Sequence, residues 1–260
     1  MTDLTNLADW VGLAATTFAA ALLYAVSGYG FAVLATPLYL LLVEPPQAVQ
    51  LVIIVSTALS LTVVSGLRHA IAWALLFRLT IGALAGVPLG LVAFSHADPL
   101  LVRLGVGATI LCFSLLMALR WGGRRQRSPP LALSRSGDLS AGVASGAASA
   151  LVGMAGPPAL IYLLLAGVAA STVRATLLAF FALSYGATLI SHAVTIGIPS
   201  PTWVAAGTLV PFAFLGGLAG RPIGDRLGAK GFTLLAIALL AAAGLYTIAA
   251  AIVGLAIHRR

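Results

Sequence analysis

Ser27-Gly28-Tyr29-Gly30 and Gly153-Met154-Ala155-Gly156-Pro157-Pro158 are two glycine-rich breaks in a chain that is otherwise almost continuously apolar. They occupy matching positions in the two halves of the sequence, and Pro37 follows the first break. Paired interruptions of apolar segments at corresponding positions are typical of membrane proteins that bind a solute near the bilayer midplane. The two breaks therefore predict a repeated architecture with a site between the repeats.

The composition is that of a membrane protein. Of 260 residues, 61% are hydrophobic and 8% are charged, which leaves too few polar residues to cover a soluble domain. The net charge of +8 is concentrated in a few connections, which indicates membrane topology and contact with the lipid bilayer, and no nucleic acid partner. All six acidic residues are expected outside the apolar runs: Asp3, Asp9, Glu44, Asp98, Asp138 and Asp225.

Glycine, proline and charge divide the chain into ten apolar segments, five on each side of a basic connection. They lie at about 10–26, 31–43, 48–66, 71–94, 100–119, 139–153, 157–169, 173–196, 202–220 and 231–257. Because a helix needs about 20 apolar residues to cross a bilayer, segments 31–43 and 157–169 are predicted to be broken or re-entrant arms. We divide the chain into a first membrane repeat (1–119), a basic cytoplasmic loop (120–138) and a second membrane repeat (139–260).

The distribution of basic residues predicts the topology. Five arginines in 120–138 place this loop in the cytoplasm, and alternating crossings then put both termini outside. The fold class predicted is an all-α polytopic membrane protein of two inverted-topology repeats of five segments each, with a short broken or re-entrant arm pair opening each repeat. We expect a multi-pass protein of the plasma membrane, which is the inner membrane in a bacterium.

Internal similarity supports the repeat. Residues 82–90 (GALAGVPLG) recur as residues 216–224 (GGLAGRPIG), with six of nine positions identical. Residues 38–42 match 161–165, and Ser60 aligns with Ser184. The alternative is that these patterns recur by chance, since small residues at every fourth position simply let membrane helices approach each other.

The order and spacing of these motifs resemble the sulfite exporter TauE/SafE family of membrane transporters. The resemblance is carried by Gly28-Tyr29-Gly30 with Pro37, by Pro45-Pro46-Gln47-Ala48, and by the second break, and it extends from about residue 10 to 255. Members of the family have runs of glycine where this chain has Tyr29, Phe31, Ala155 and Pro157. The resemblance implies a secondary transporter of small anions, typically sulfite or organosulfonates.

The residues themselves favour an anion site. A helix that begins within the membrane after a glycine turn presents backbone N–H groups and the positive end of its dipole, so it binds an anion without a charged side chain. The alternative is that the breaks are ordinary kinks, that the serines bond their own helices and that the arginine reaches the lipid headgroups. The candidate substrate-binding residues are Ser27, Gly28, Tyr29, Gly30, Ser60, Gly153, Met154, Gly156, Arg174, Ser184 and Tyr185.

His192 is a candidate proton relay, and the alternative is an interfacial histidine bonded to a carbonyl. We expect no catalytic residues, no metal site and no cofactor. The expected partner is a small anionic substrate, and the sequence leaves a monomer and a homodimer open. Three rival functions are a drug/metabolite-type exporter of small organic molecules, an intramembrane hydrolase using Ser145 and His192, and a structural protein.

Overall fold

The computed structural model describes residues 7–63, 68–121, 133–220 and Leu245, and in these ranges it contains α-helices, one short 3-10 turn and no β-strand. The nine α-helices of these ranges are α1 (Leu7–Ser27), α2 (Phe31–Leu42), α3 (Pro45–Val63), α4 (Trp73–His96), α5 (Pro99–Trp121), α6 (Arg135–Val152), α7 (Gly156–Leu165), α8 (Ala170–Thr195) and α9 (Ser200–Gly220). Their bounds agree with the first nine predicted segments to within a few residues. The tenth segment, 231–257, lies outside the described residues except for Leu245, which is helical.

Length and hydropathy distinguish helices that can cross a membrane from two short apolar helices. Among the described residues, five helices are long and apolar enough to cross a membrane, namely α1, α3, α4, α8 and α9. In contrast, α2 and α7 have 12 and 10 residues. At about 1.5 Å per residue they extend about 18 and 15 Å, roughly half of a bilayer core of about 30 Å. The two segments predicted to be short arms are therefore short helices.

Each short helix runs back along the helix before it. In the first half, Thr17 Oγ1 of α1 lies 2.6 Å from Tyr39 Oη of α2, and Gly12 faces Leu42. In the second half, the Ala159 N–H donates to Ser145 Oγ across α6 and α7 (3.0 Å). The α1–α2 and α6–α7 pairs are antiparallel hairpins whose turns are the two glycine breaks.

The repeated nine-residue pattern packs helices at close range. Glycines of α4 face backbone carbonyls of α6 where a β-carbon would overlap the oxygen, in the pairs Gly82–Leu139, Gly86–Val143 and Gly90–Ala147. The second copy, in α9, does the same against α1, in the pairs Gly216–Phe18 and Gly220–Leu22. The fourth helix of each half therefore packs on the first helix of the other half, through the small-residue contact known from membrane helices.

The start of α6 lies within the predicted basic loop. Ser134 Oγ accepts a hydrogen bond from the Gly137 N–H (3.0 Å), and Asp138 lies in the first turn, two features that favour a helix N-terminus. Because α5 extends to Trp121 and α6 begins at Arg135, the helices enter the predicted loop 120–138 at both ends.

Asp138 lies just before the predicted apolar segment 139–153, as expected, but inside helix α6. Its carboxylate is 1% exposed, accepts from Arg78 Nη1 of α4 (3.0 Å) and accepts from Tyr162 Oη of α7 (2.7 Å). Asp9 likewise lies within α1, in its first turn. The sequence pattern did not predict the burial of Asp138, because a buried carboxylate depends on partners from distant helices, and Arg78 and Tyr162 supply them.

Candidate functional site

A small cavity lies between the two breaks. Its outline takes in about 280 Å³ not filled by protein atoms, including space that is open to the surroundings. Residues of α1, α2, α3, α7 and α8, together with Gly30, line it: Tyr24, Gly30, Phe31, Ala32, Val33, Ser56, Leu59, Ser60, Gly156, Phe181 and Tyr185. Four of these were predicted from the sequence, namely Gly30, Ser60, Gly156 and Tyr185. The cavity therefore joins the N-terminal end of α2 to the N-terminal end of α7.

The first break turns the chain through glycine conformations. Gly28 has φ 78° and donates its N–H to the Tyr24 carbonyl (2.8 Å), while Gly30 has φ 120°. Other residues rarely adopt such positive φ values, so glycine is required here. No side chain caps the N-terminus of α2 at Gly30. Consequently the N–H groups of the first turn, at residues 31–33, have no helical partner.

The second break is built differently. Gly153 is left-handed (φ 72°), and the N–H groups of Gly153 and Met154 bond back to Ser149 and Ala148 at 3.0 and 3.2 Å, which closes the end of α6. Tyr185 fixes the turn, because its hydroxyl accepts from the Ala155 N–H (3.2 Å) and donates to the Gly153 carbonyl (3.3 Å).

Prolines limit the backbone donors of α7. Pro157 and Pro158 follow Gly156 in the first turn and carry no N–H. The Ala159 N–H is taken by Ser145 Oγ. Among the first four residues of α7, only Gly156 thus keeps an N–H for a ligand, and the rest of the helix contributes through its dipole.

Hydroxyl groups supply the polar part of the cavity wall. Tyr24 Oη lies 3.2 Å from Ser60 Oγ, so this pair is satisfied. Ser56 is 3% exposed, and its hydroxyl makes no hydrogen bond of good geometry, although the Tyr185 hydroxyl is close by. A buried polar group without a partner is uncommon, and at a cavity wall it is suited to a ligand.

The remaining predicted residues near the breaks do not line this cavity. Gly28 and Gly153 shape the turns, Met154 is fully buried in the core, and Tyr29 is half-buried against the core. Ser184 is buried and its hydroxyl has no partner. Ser27 ends α1, and its side chain is outside the described part of the chain.

Arg174 lies beside the first break. Its exposed guanidinium donates from Nη2 to the Ala25 carbonyl near the end of α1 (2.9 Å), and its side chain packs across Gly28. A cation at a helix C-terminus satisfies a free carbonyl and interacts favourably with the helix dipole. Arg174 therefore closes the end of α1 and is not among the residues that line the cavity.

His192 is fully buried near the end of α8. Its Nε2 lies 2.9 Å from the Ala150 carbonyl and its ring packs edge-on against Phe94, with ring centroids 4.8 Å apart. Nδ1 has no partner. A role as proton relay stays a prediction. Ser145, the candidate hydrolase serine, accepts from the Ala159 N–H, so Ser145 and His192 are engaged with different backbone groups.

Sequence reasoning missed seven residues of the cavity wall: Tyr24, Phe31, Ala32, Val33, Ser56, Leu59 and Phe181. Two of them could have been found from helical spacing. Ser56 precedes Ser60 by four residues, and Phe181 precedes Tyr185 by four, so each pair shares a helix face. Within the described ranges, no group of three His, Cys, Asp or Glu side chains could hold a metal ion.

Comparison with known proteins identifies the family of the chain. No curated protein and no solved structure matches the chain. A family model described as "Sulfite exporter TauE/SafE" matches residues 13–247. With five helices able to cross a membrane in the described part of the chain, this match makes the protein an integral membrane protein. The chain belongs to the sulfite exporter TauE/SafE family of membrane transporters.

Proposed function

We propose that this protein is a secondary transporter that exports a small sulfur-containing anion, such as sulfite or an organosulfonate, by alternating access. The observation that carries the proposal is the cavity between Gly30 and Gly156. It joins the N-terminal ends of two short helices from different halves of the chain. Family membership supports transport of this substrate class.

The geometry suits an anion. The free N–H groups at residues 31–33 and at Gly156 are donors, and both helix dipoles present their positive ends. Ser56 adds a hydroxyl without a partner of good geometry. None of the eleven described residues of the cavity wall is acidic, so a cation would find no counter-charge there.

We further propose that the two halves are inverted-topology repeats. Three correspondences support this architecture. Each half has one short helix folded back along the helix before it, and a tyrosine of the short helix, Tyr39 or Tyr162, hydrogen-bonds that helix. In each half, glycines of the fourth helix pack against the first helix of the other half. With the basic loop in the cytoplasm, five segments per half put both termini outside the plasma membrane.

Rocking of one repeat against the other is the simplest route to alternating access. The glycine surfaces of α4 and α9 are the close-packed faces along which this motion would occur. An inside-negative potential favours export of an anion by about 2.3 kcal/mol per elementary charge per 100 mV. The transported anion crosses chemically unchanged, which distinguishes this proposal from an intramembrane enzyme.

Helix lengths count against a drug/metabolite-type exporter. A carrier of that type would have helices of nearly uniform length, whereas α2 and α7 have 12 and 10 residues.

The test is sulfite and methanesulfonate flux in proteoliposomes under an imposed potential. The variant Gly156→Val places a side chain in the cavity beside Phe181, and Gly186→Val is its matched control, because a β-carbon at Gly186 meets open space. We expect saturable flux in the wild type and the control and none in the cavity variant. Absence of anion flux in folded wild-type protein under either direction of potential would overturn the proposal.

A further inference from the structure

We infer that Arg174 forms a transient anion site at the cytoplasmic mouth of the cavity, where a sulfite or sulfonate ion is held before it enters. The inference rests on the proposed function and topology and adds a recognition step to them. It follows from the position of Arg174 on α8, from its contacts with the end of α1 and from its charge, which no acidic side chain of the described residues neutralises.

Arg174 lies on the side of α8 that faces the cavity. Phe181 and Tyr185, which line the cavity, follow it by seven and eleven residues, and this spacing places all three on one helix face. At about 1.5 Å per residue, Arg174 is about 10 Å nearer the start of α8 than Phe181. In the proposed topology α8 begins at the cytoplasmic side, so Arg174 lies between the cavity and the cytoplasm.

The Arg174 side chain also reaches the end of α1. Nη2 donates to the Ala25 carbonyl (2.9 Å), and Ala25 directly follows Tyr24, which lines the cavity. The aliphatic part of the side chain crosses Gly28, where a β-carbon would overlap it. The charge of Arg174 acts on the Tyr24 hydroxyl. Arg174 therefore bridges α8 and α1 beside the cavity wall.

This bridge changes the electrostatic character of the mouth. The C-terminal end of α1 presents carbonyl oxygens and the negative end of the helix dipole, which repel an anion. Arg174 covers one of these carbonyls, at Ala25, with a positive charge. An anion that approaches from the cytoplasm therefore meets a guanidinium in front of the helix end.

The guanidinium has donors left for an anion. It carries five N–H groups, and its described hydrogen bond to Ala25 uses one of them. Within the described ranges no carboxylate pairs with Arg174, whereas Arg78 pairs with Asp138. Arg174 is exposed, so an ion can reach it from water. Two parallel N–H groups of a guanidinium match two oxygens of one anion, as they do in carboxylates and phosphates, and sulfite and sulfonate groups offer such oxygens.

The outer side of the molecule differs at the matching position. The alignment of the two halves that places Ser60 on Ser184 places Gln50 on Arg174. Gln50 is neutral and 4% exposed, and its Nε2 donates to the Gly197 carbonyl (3.0 Å), just beyond the end of α8. Both side chains bond a carbonyl near a helix end, but of the two only Arg174 brings a charge. We therefore expect anion capture at the cytoplasmic side, from which export begins.

The experiment measures how pyrenetetrasulfonate, a rigid anion much larger than sulfite, inhibits the uptake of radiolabelled sulfite. Membrane vesicles with the cytoplasmic face outward are compared with right-side-out vesicles, and vesicles without the protein give the background. The variant is Arg174→Gln. Its matched control is Arg135→Gln, because Arg135 is another exposed arginine, at the start of α6 on the same predicted side. Uptake without inhibitor is each variant's own reference, so the amount of folded protein does not affect the half-maximal concentration.

We expect pyrenetetrasulfonate to inhibit from the cytoplasmic face only. Its half-maximal concentration should be at least about tenfold higher in Arg174→Gln, because hydrogen bonds between charged groups are lost. In Arg135→Gln it should stay within about twofold of the wild-type value, since the same charge is removed from the same side without changing the mouth.

Three results would overturn the inference and leave the transporter in place. One is equal inhibition from both faces, a comparison that needs only the wild type and so holds even if Arg174→Gln does not fold. Another is an equal shift in the two variants, which would show that the inhibitor binds the basic surface in general. The third is no shift in Arg174→Gln, which would assign the guanidinium to Ala25 or to a lipid phosphate. Absence of sulfite uptake in wild-type vesicles would instead remove the proposed function as well.

Discussion

Gly30 and Gly156 belong to different halves of the chain and line the same cavity. Each stands where a short helix begins, after a turn that uses a positive-φ glycine. Two breaks that are far apart in the chain therefore lie at the same small cavity. The variants below test the parts of that site and of the packing around it.

Ser56→Ala is expected to weaken anion binding, because Ser56 lines the cavity and has no hydrogen-bond partner of good geometry. A hydrogen bond to a charged group contributes about 1.5–3 kcal/mol, which corresponds to roughly a ten- to hundredfold higher Kd. The matched control is Ser184→Ala, which removes a buried hydroxyl without a partner that is not among the cavity residues. Equal effects of the two variants on sulfite Kd would contradict this assignment.

Arg174→Gln is expected to act on stability and to leave affinity nearly unchanged. The guanidinium bonds the Ala25 carbonyl and packs across Gly28, outside the cavity wall. Sulfite Kd should change less than about twofold, while the thermal unfolding midpoint falls because a helix-end contact worth about 0.3–1 kcal/mol is lost. A large increase in Kd with an unchanged midpoint would show that Arg174 contacts the substrate.

Arg78→Gln is expected to destabilise the fold more than Asp138→Asn. Asp138 is 1% exposed, whereas the Arg78 side chain is 36% exposed. Removing Arg78 leaves a buried carboxylate without its counter-ion, a change that costs about 3–5 kcal/mol in comparable pairs, whereas Arg78 left alone can reach solvent. Thermal unfolding in detergent compares the two, and a lower midpoint for Asp138→Asn would contradict the expected order.

Gly86→Ala is expected to disturb the contact between α4 and α6. A β-carbon there would overlap the Val143 carbonyl, so the helices must separate, at a cost of about 1–3 kcal/mol for overpacking. Gly207→Ala is the control, because a β-carbon at Gly207 meets open space. The unfolding midpoint should fall for Gly86→Ala and stay the same or rise for the control. Identical midpoints would show that the interface accepts the methyl group.

The breaks could be predicted from sequence because glycine and proline act locally, as the positive φ values of Gly28, Gly30 and Gly153 illustrate. The bounds of the helices could be predicted for the same reason. The exception is the start of α6, where the Ser134 cap extends the helix into the basic connection. Ser56 and Phe181 were harder to find. In a membrane helix the lipid face and the protein face are both apolar, so hydrophobic periodicity does not identify the side that meets the cavity. The burial of the Asp138 carboxylate could not be predicted, because its partners Arg78 and Tyr162 are distant in sequence.

The most direct test of the central claim is equilibrium binding of radiolabelled sulfite to the purified protein, in the wild type, Gly156→Val and Gly186→Val. A side chain at Gly156 enters the cavity beside Phe181, whereas one at Gly186 meets open space. We predict saturable binding in the wild type and Gly186→Val, and a loss of binding in Gly156→Val at an unchanged unfolding midpoint. Wild-type affinity in folded Gly156→Val would contradict the assignment of the cavity as the anion site.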